Sequence, residues 1–145
     1  MLKQDADKKD DVPGPGNGFV AAFTPSGRLI RIFEHGPWLD APWGLALAPS
    51  DFGLFSHTLI VGMFGNGSLA AYNIMTGKFL DLLRDGLKKN PIQISGLWGI
   101  GFGAGNAGTG PFNTLFFAAG PNDEKNGLFG TLTNADLNPD VGNSR

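Results

Sequence analysis

Cysteine is absent from the 145 residues, which removes disulfides, thiolate nucleophiles and thiolate-ligated metals together. Charge is also scarce: Asp, Glu, Lys and Arg make up 17% of the chain and nearly cancel, leaving a formal −2. Without a basic stripe the chain has nothing to follow a phosphate backbone, so nucleic acid is not an expected partner. No run approaches the roughly 18 apolar residues that a membrane-crossing helix needs. The opening Met1-Leu2-Lys3-Gln4-Asp5 lacks an apolar h-region and does not read as a signal peptide. Histidine occurs twice, as His35 and His57, each beside a turn where a structural role is expected. No Gly-x-Ser-x-Gly elbow is found. Gly101-Phe102-Gly103-Ala104-Gly105 falls short of the dinucleotide spacing, and no helix follows to hold a phosphate; it reads as a flexible loop.

What the chain has in excess is glycine, 23 residues, with 10 prolines. Together they are about twice the roughly 12% of average usage. They follow no collagen-like period, and 41% apolar residues is too many for a disordered chain. Short strands joined by tight turns are the remaining use for so many turn residues.

The glycines recur in order. Gly16-Asn17-Gly18-Phe19-Val20-Ala21-Ala22-Phe23 matches Gly65-Asn66-Gly67-Ser68-Leu69-Ala70-Ala71-Tyr72 at an offset of 49. Thr24-Pro25-Ser26-Gly27-Arg28-Leu29-Ile30 then matches Ile74-Met75-Thr76-Gly77-Lys78-Phe79-Leu80 at 50. Ala41-Pro42-Trp43-Gly44-Leu45-Ala46-Leu47 matches Gly96-Leu97-Trp98-Gly99-Ile100-Gly101-Phe102 at 55, and Phe55 to Val61 matches Phe112 to Phe117 at 56 or 57. Offsets that grow only between matches mean equivalent strands with insertions in the loops. The copies span about 16–64 and 65–125, and a third opens at Asn126-Gly127-Leu128-Phe129-Gly130. Strand-like runs fall at 18–24, 28–34, 43–48, 58–64, 68–73, 78–84, 97–102, 113–119 and 128–133, separated by Asn-Gly, Pro-Ser-Gly and Met-Thr-Gly turns. Trp43 to Leu47 and Leu59 to Phe64 are the most uniformly apolar runs, as strands covered on both faces are.

Four strands in about 50–55 residues is the arithmetic of a propeller blade. A sandwich or an up-and-down barrel fits the strand count but gives the Trp-Gly element no reason to recur. The expected fold is therefore all-β: a partial β-propeller of about two four-stranded antiparallel blades plus an extra strand. It occupies residues 1–133, with 134–145 a polar, frayed C-terminal tail. Open blade faces and unpaired edges predict self-association of the isolated chain.

The segments Gln4 to Lys8, Pro15 to Val20, Ala41 to Ala46 and Gly96 to Gly99 carry a likeness, together with Ala119-Gly120-Pro121-Asn122-Asp123-Glu124 and Gly127 to Gly130. On these residues the chain, over about 3–133, resembles the six-bladed, NHL-repeat-like propellers, in particular an uncharacterised family of mostly exported proteins. The resemblance implies a C-terminal portion of a longer propeller and an extracellular or periplasmic setting. That family has no settled activity, so no catalytic residue is carried over from it.

In the blade plan the first strand of each blade lines a central channel. The loop entering that strand and the loop between strands two and three open on one face. Trp43 and Trp98 begin two channel strands, and the loops 4–17, 62–66 and 120–126 surround the same mouth. Blade packing is the ordinary use of such Trp residues; a ligand-contacting mouth is the functional alternative. Asp5, Asp7, Asp123 and Glu124 are the acidic residues of those loops, and calcium is the cation their oxygens would suit. The run from Asp5 to Asp11 fails as an EF-hand loop, because its positions 6 and 12 are Asp10 and Gly16. A solvated charged hairpin is the simpler expectation.

Three functional expectations follow. The first is a non-enzymatic binding or scaffold segment for a protein or small-molecule ligand. The second is a metal-assisted hydrolase or lyase of the propeller lactonase kind, whose site would lie mainly in other blades. The third is a truncated fragment with no independent function. Channel strands bearing Trp, Gly, Leu and Ala, with no carboxylate or His, favour binding over catalysis.

Overall fold

The computed structural model describes residues 3–9, 11–86 and 89–137. Among these residues the fold is all-β and partial propeller-like, nine strands in three antiparallel sheets with no closed barrel. The first sheet pairs β1 (Ala21–Phe23) with β2 (Leu29–Ile32). The second is a meander of β3 (Pro42–Leu47), β4 (Thr58–Met63), β5 (Leu69–Asn73) and β6 (Phe79–Leu82). The third runs β7 (Leu97–Phe102), β8 (Leu115–Ala119) and β9 (Leu128–Leu132).

The nine strands divide two, four and three, so the sequence repeat is offset from the sheets. The copy at 16–64 supplies the outer pair β1-β2 of one sheet and the inner pair β3-β4 of the next. Among the described residues the middle sheet has the four strands of a blade, while the first has two and the third three.

Side-chain alternation sets which residues face each neighbouring sheet. Along β3, Pro42, Gly44 and Ala46 are buried while Trp43, Leu45 and Leu47 are exposed, the period of two that a strand imposes. β4 is buried almost throughout, because it has sheets on both sides. Register places Ala46 opposite Ile60, Ile60 opposite Ala71 and Gly62 opposite Leu69, so all of these share one face.

Two cores result. One joins Val20, Phe33 and Leu39 to Val61, Met63, Ala70 and Tyr72, between the first and second sheets. The other joins Ala46, Ile60, Leu69, Ala71 and Leu83 to Leu97, Leu115 and Ala119, between the second and third. Within the stretch read as a frayed tail, Asn134–Leu137 forms a helical turn. Asp136 Oδ2 accepts from the Thr133 N–H and hydroxyl, each at 2.7 Å, and Leu137 drops into the second core. One buried leucine and a local cap are enough to order those residues; the rest of the tail lies outside the described residues.

Candidate functional site

β3 and β7 begin alike, and their approach builds the site. Ala41, one residue before β3, sits at φ 51°, and the residue equivalent to it before β7, Gly96, sits at 69°. This left-handed step is natural for glycine and strained for alanine. Ala41 is held there by backbone bonds, donating to Asn17 O at 3.1 Å and accepting from Phe64 N–H at 2.9 Å. The β3–β4 register then shifts between Pro42 and Gly44, so Trp43 falls at an irregularity in the ladder. A matching shift separates Leu97 from Ile100 and contains Trp98.

The two indoles meet edge to face, with centroids 4.6 Å apart and planes at 85°. Phe64, from the β4–β5 loop, lies against Trp98 at 4.7 Å. Trp98 and Phe64 are half-buried, while Trp43 keeps 48% of its surface open. An indole fixed by another ring and still open to solvent can accept a flat apolar group without first losing rotamer freedom.

Gly44 makes this approach possible. A Cβ there would lie 2.8 Å from the Trp98 carbonyl oxygen and 2.9 Å from Ile100 Cγ1. At Gly99, the same place in the next Trp-Gly element, a Cβ would meet nothing within 4 Å. The Trp-Gly elements thus pack the second sheet on the third: glycine lets neighbouring strands touch, and the tryptophans join across that contact.

Asp40, absent from the sequence expectations, organises the surrounding loops. It is 6% exposed, and its Oδ1 accepts from Gly14 N–H at 2.7 Å. Its carbonyl accepts from Gly65 N–H at 3.0 Å, which joins the loop before β1 to the β4–β5 loop. Gly65 is needed because a Cβ there would collide with the Asp40 carboxylate. Trp38 was also missed. Its ring stacks on Phe79 at 4.0 Å and 15°, and its Nε1–H donates to Tyr72 Oη at 2.7 Å. Tyr72 in turn donates to the Glu34 carbonyl at 3.2 Å. The only local sign of this was Gly36-Pro37 ahead of the tryptophan, a loop signal that says nothing of where the ring goes.

The acidic candidates occupy ordinary turn positions. Asp5 Oδ1 accepts from Lys9 N–H at 2.9 Å and its carbonyl from Lys8 N–H at 3.2 Å, inside a hairpin closed by the Gln4–Asp11 bridge. Asp7 is exposed in the same turn, and Asp10 lies outside the described residues. Asn122, Asp123 and Glu124 form a left-handed turn at φ 60°, 53° and 61°, with both acids exposed. Among the described residues no three His, Asp or Glu side chains converge on a point a cation would occupy. His35 bonds the Gly16 carbonyl at 2.8 Å through Nε2 and stacks on Phe19, while His57 takes a left-handed turn at φ 59°.

Comparison with known proteins yields relatives and no activity. Over 87 residues, 60% of the chain, it is 38% identical to an uncharacterized protein of Acanthamoeba polyphaga mimivirus, covering 16% of that protein. Over 123 residues, 83% of the chain, it is 28% identical to a second uncharacterized mimivirus protein, covering 30% of it. A third, also uncharacterized, matches equally at 28%, with 28% of its length covered. The chain therefore spans less than a third of the length of these curated relatives. No family model and no solved structure matches.

Proposed function

We propose that the chain is a binding or scaffold segment of a longer NHL-repeat-like β-propeller, and that it contacts its ligand through the Trp43–Trp98–Phe64 cluster. The observation carrying this reading is the half-open Trp43 ring, fixed edge to face against Trp98. The cluster has no side chain that would act as nucleophile, acid or base, so its chemistry is recognition. A ligand with a flat, weakly polar face, such as a sugar or proline ring, suits it best. Relatives several times the length of this chain support the larger assembly.

The test is tryptophan emission during titration with a soluble oligosaccharide and, separately, a proline-rich peptide. Saturable quenching or a spectral shift that Trp43→Ala abolishes is the expected result. Trp38 and Trp98 remain in that variant and report that the fold is kept. A saturable signal that survives Trp43→Ala, or no signal with either probe, contradicts the assignment.

A further inference from the structure

Asn66-Gly67-Ser68 is the one Asn-x-Ser/Thr sequence in the chain, and it lies in the turn between β4 and β5. Such a triplet often arises by chance; here the fold leaves its two reactive groups, the Asn66 amide nitrogen and the Ser68 hydroxyl, without partners. Asn66 is exposed at the tip of the turn. Its Oδ1 accepts from the Ser68 N–H at 2.9 Å, while its Nδ2 meets no hydrogen-bond partner among the described residues. A group added at Nδ2 therefore leaves the turn's own bonds in place. These are Asn66 Oδ1 to Ser68, the Gly67 N–H to the Met63 carbonyl at 3.0 Å, and the Met63 N–H to the Ser68 carbonyl at 2.8 Å. They close the turn on the middle sheet, so the site is complete within the described residues.

Ser68 is 2% exposed, and its hydroxyl finds no hydrogen-bond partner. An orphaned buried hydroxyl costs stability, and the first copy of the repeat places Phe19 at the equivalent position. The fold has no use for this oxygen. N-glycosylation has one, because its acceptor sequence is defined by a hydroxyl two residues after the asparagine.

We propose that Asn66 is an N-glycosylation site, used when the chain passes through a secretory lumen, and that its first sugar lies on the Phe64 ring. A bond forms between Asn66 Nδ2 and the anomeric carbon of the sugar as that carbon's bond to a lipid pyrophosphate breaks. The amide loses one proton, and the lipid pyrophosphate leaves. Ser68 is closed off once the sheet has formed, so transfer precedes folding. Phe64 opens the same turn two residues before Asn66 and is half-buried against Trp98 at 4.7 Å. Part of a fixed ring is thus open beside the attachment point, and the C–H face of a sugar packs on such a ring. No separate ligand at the Trp43–Trp98–Phe64 cluster is needed for this.

Translation of the whole chain behind a cleavable secretory leader into endoplasmic-reticulum microsomes tests the acceptor. The imported, protease-protected chain is expected to gain the mass of one glycan, which an N-glycosidase removes. Asn66→Gln should abolish that gain. Ser68→Ala should abolish it too while melting no lower than wild type, since it removes only an unpaired hydroxyl. An imported chain without glycan, or one still modified in either variant, overturns the site. Trimmed to its single Asn-linked sugar, the chain should melt about 2–4 °C above the unglycosylated form, a rise that Phe64→Leu erases. Equal melting of the two forms, or a rise that survives Phe64→Leu, overturns the placement on Phe64.

Discussion

Tyr72 is the chain's single tyrosine, and it carries a buried link between sheets: Trp38 Nε1–H to its hydroxyl, and its hydroxyl to the Glu34 carbonyl. Burial raises its pKa above 10.0; the Trp38 hydrogen bond opposes this and the nearby Glu34 charge reinforces it. A folded pKa above the unfolded one means that stability is intact below about pH 10 and lost as pH climbs through the folded value. Ultraviolet titration of this one phenol should give a midpoint above 10 in the native protein and near 10 in denaturant; a native midpoint at or below 10 contradicts the burial. Tyr72→Phe leaves the Trp38 N–H without its acceptor and should cost about 1–3 kcal/mol in denaturant unfolding. Asp40→Ala frees the Gly14 N–H and loosens the loop before β1. A similar loss is expected, read as a lower melting temperature together with weaker ligand quenching of tryptophan emission.

At the scale of elements, the two Trp-Gly strands make a paired experiment. Gly44→Ala pushes a methyl into the Trp98 carbonyl and Ile100, an overpacking expected to cost about 1–3 kcal/mol. Gly99→Ala meets open space at ordinary backbone angles, and removing a strand glycine should leave stability unchanged or raise it by about 0.5–1 kcal/mol. Equal effects on unfolding midpoints would mean that β3 and β7 do not touch as described. The contrast also shows what a sequence discloses. Recurrent Asn-Gly turns and the Trp-Gly pair exposed the nine strands and the place of Trp43 and Trp98 near the starts of β3 and β7, because turn chemistry and strand periodicity are local. The repeat alone leaves the division into two, four and three open, since it has the same period wherever the sheets are cut; it is the reading of Trp43 and Trp98 as starts of first strands that matches it. Asp40 and Phe64 were not legible either, as their roles depend on loops brought together only by the blade junction. Leu137 was passed over because one apolar residue in a polar tail sets no period.

At the scale of the whole molecule, the described residues form a short stack of three sheets with a core at each of its two junctions. Stability should follow that plan, highest where a strand has a sheet on both sides and lowest at the ends. β4 and β5 belong to both cores, through Ile60 and Val61 and through Ala70 and Ala71. β2 and β9 lie at sheet edges, with most of their side chains open. Native-state amide hydrogen exchange, resolved strand by strand, tests this arrangement most directly. The slowest exchange is expected in Thr58–Met63 and Leu69–Asn73, with Leu29–Ile32 and Leu128–Leu132 exchanging orders of magnitude sooner. Protection that is greatest in β9, or equal across all nine strands, would contradict the stacked-sheet arrangement that brings Trp43 and Trp98 together.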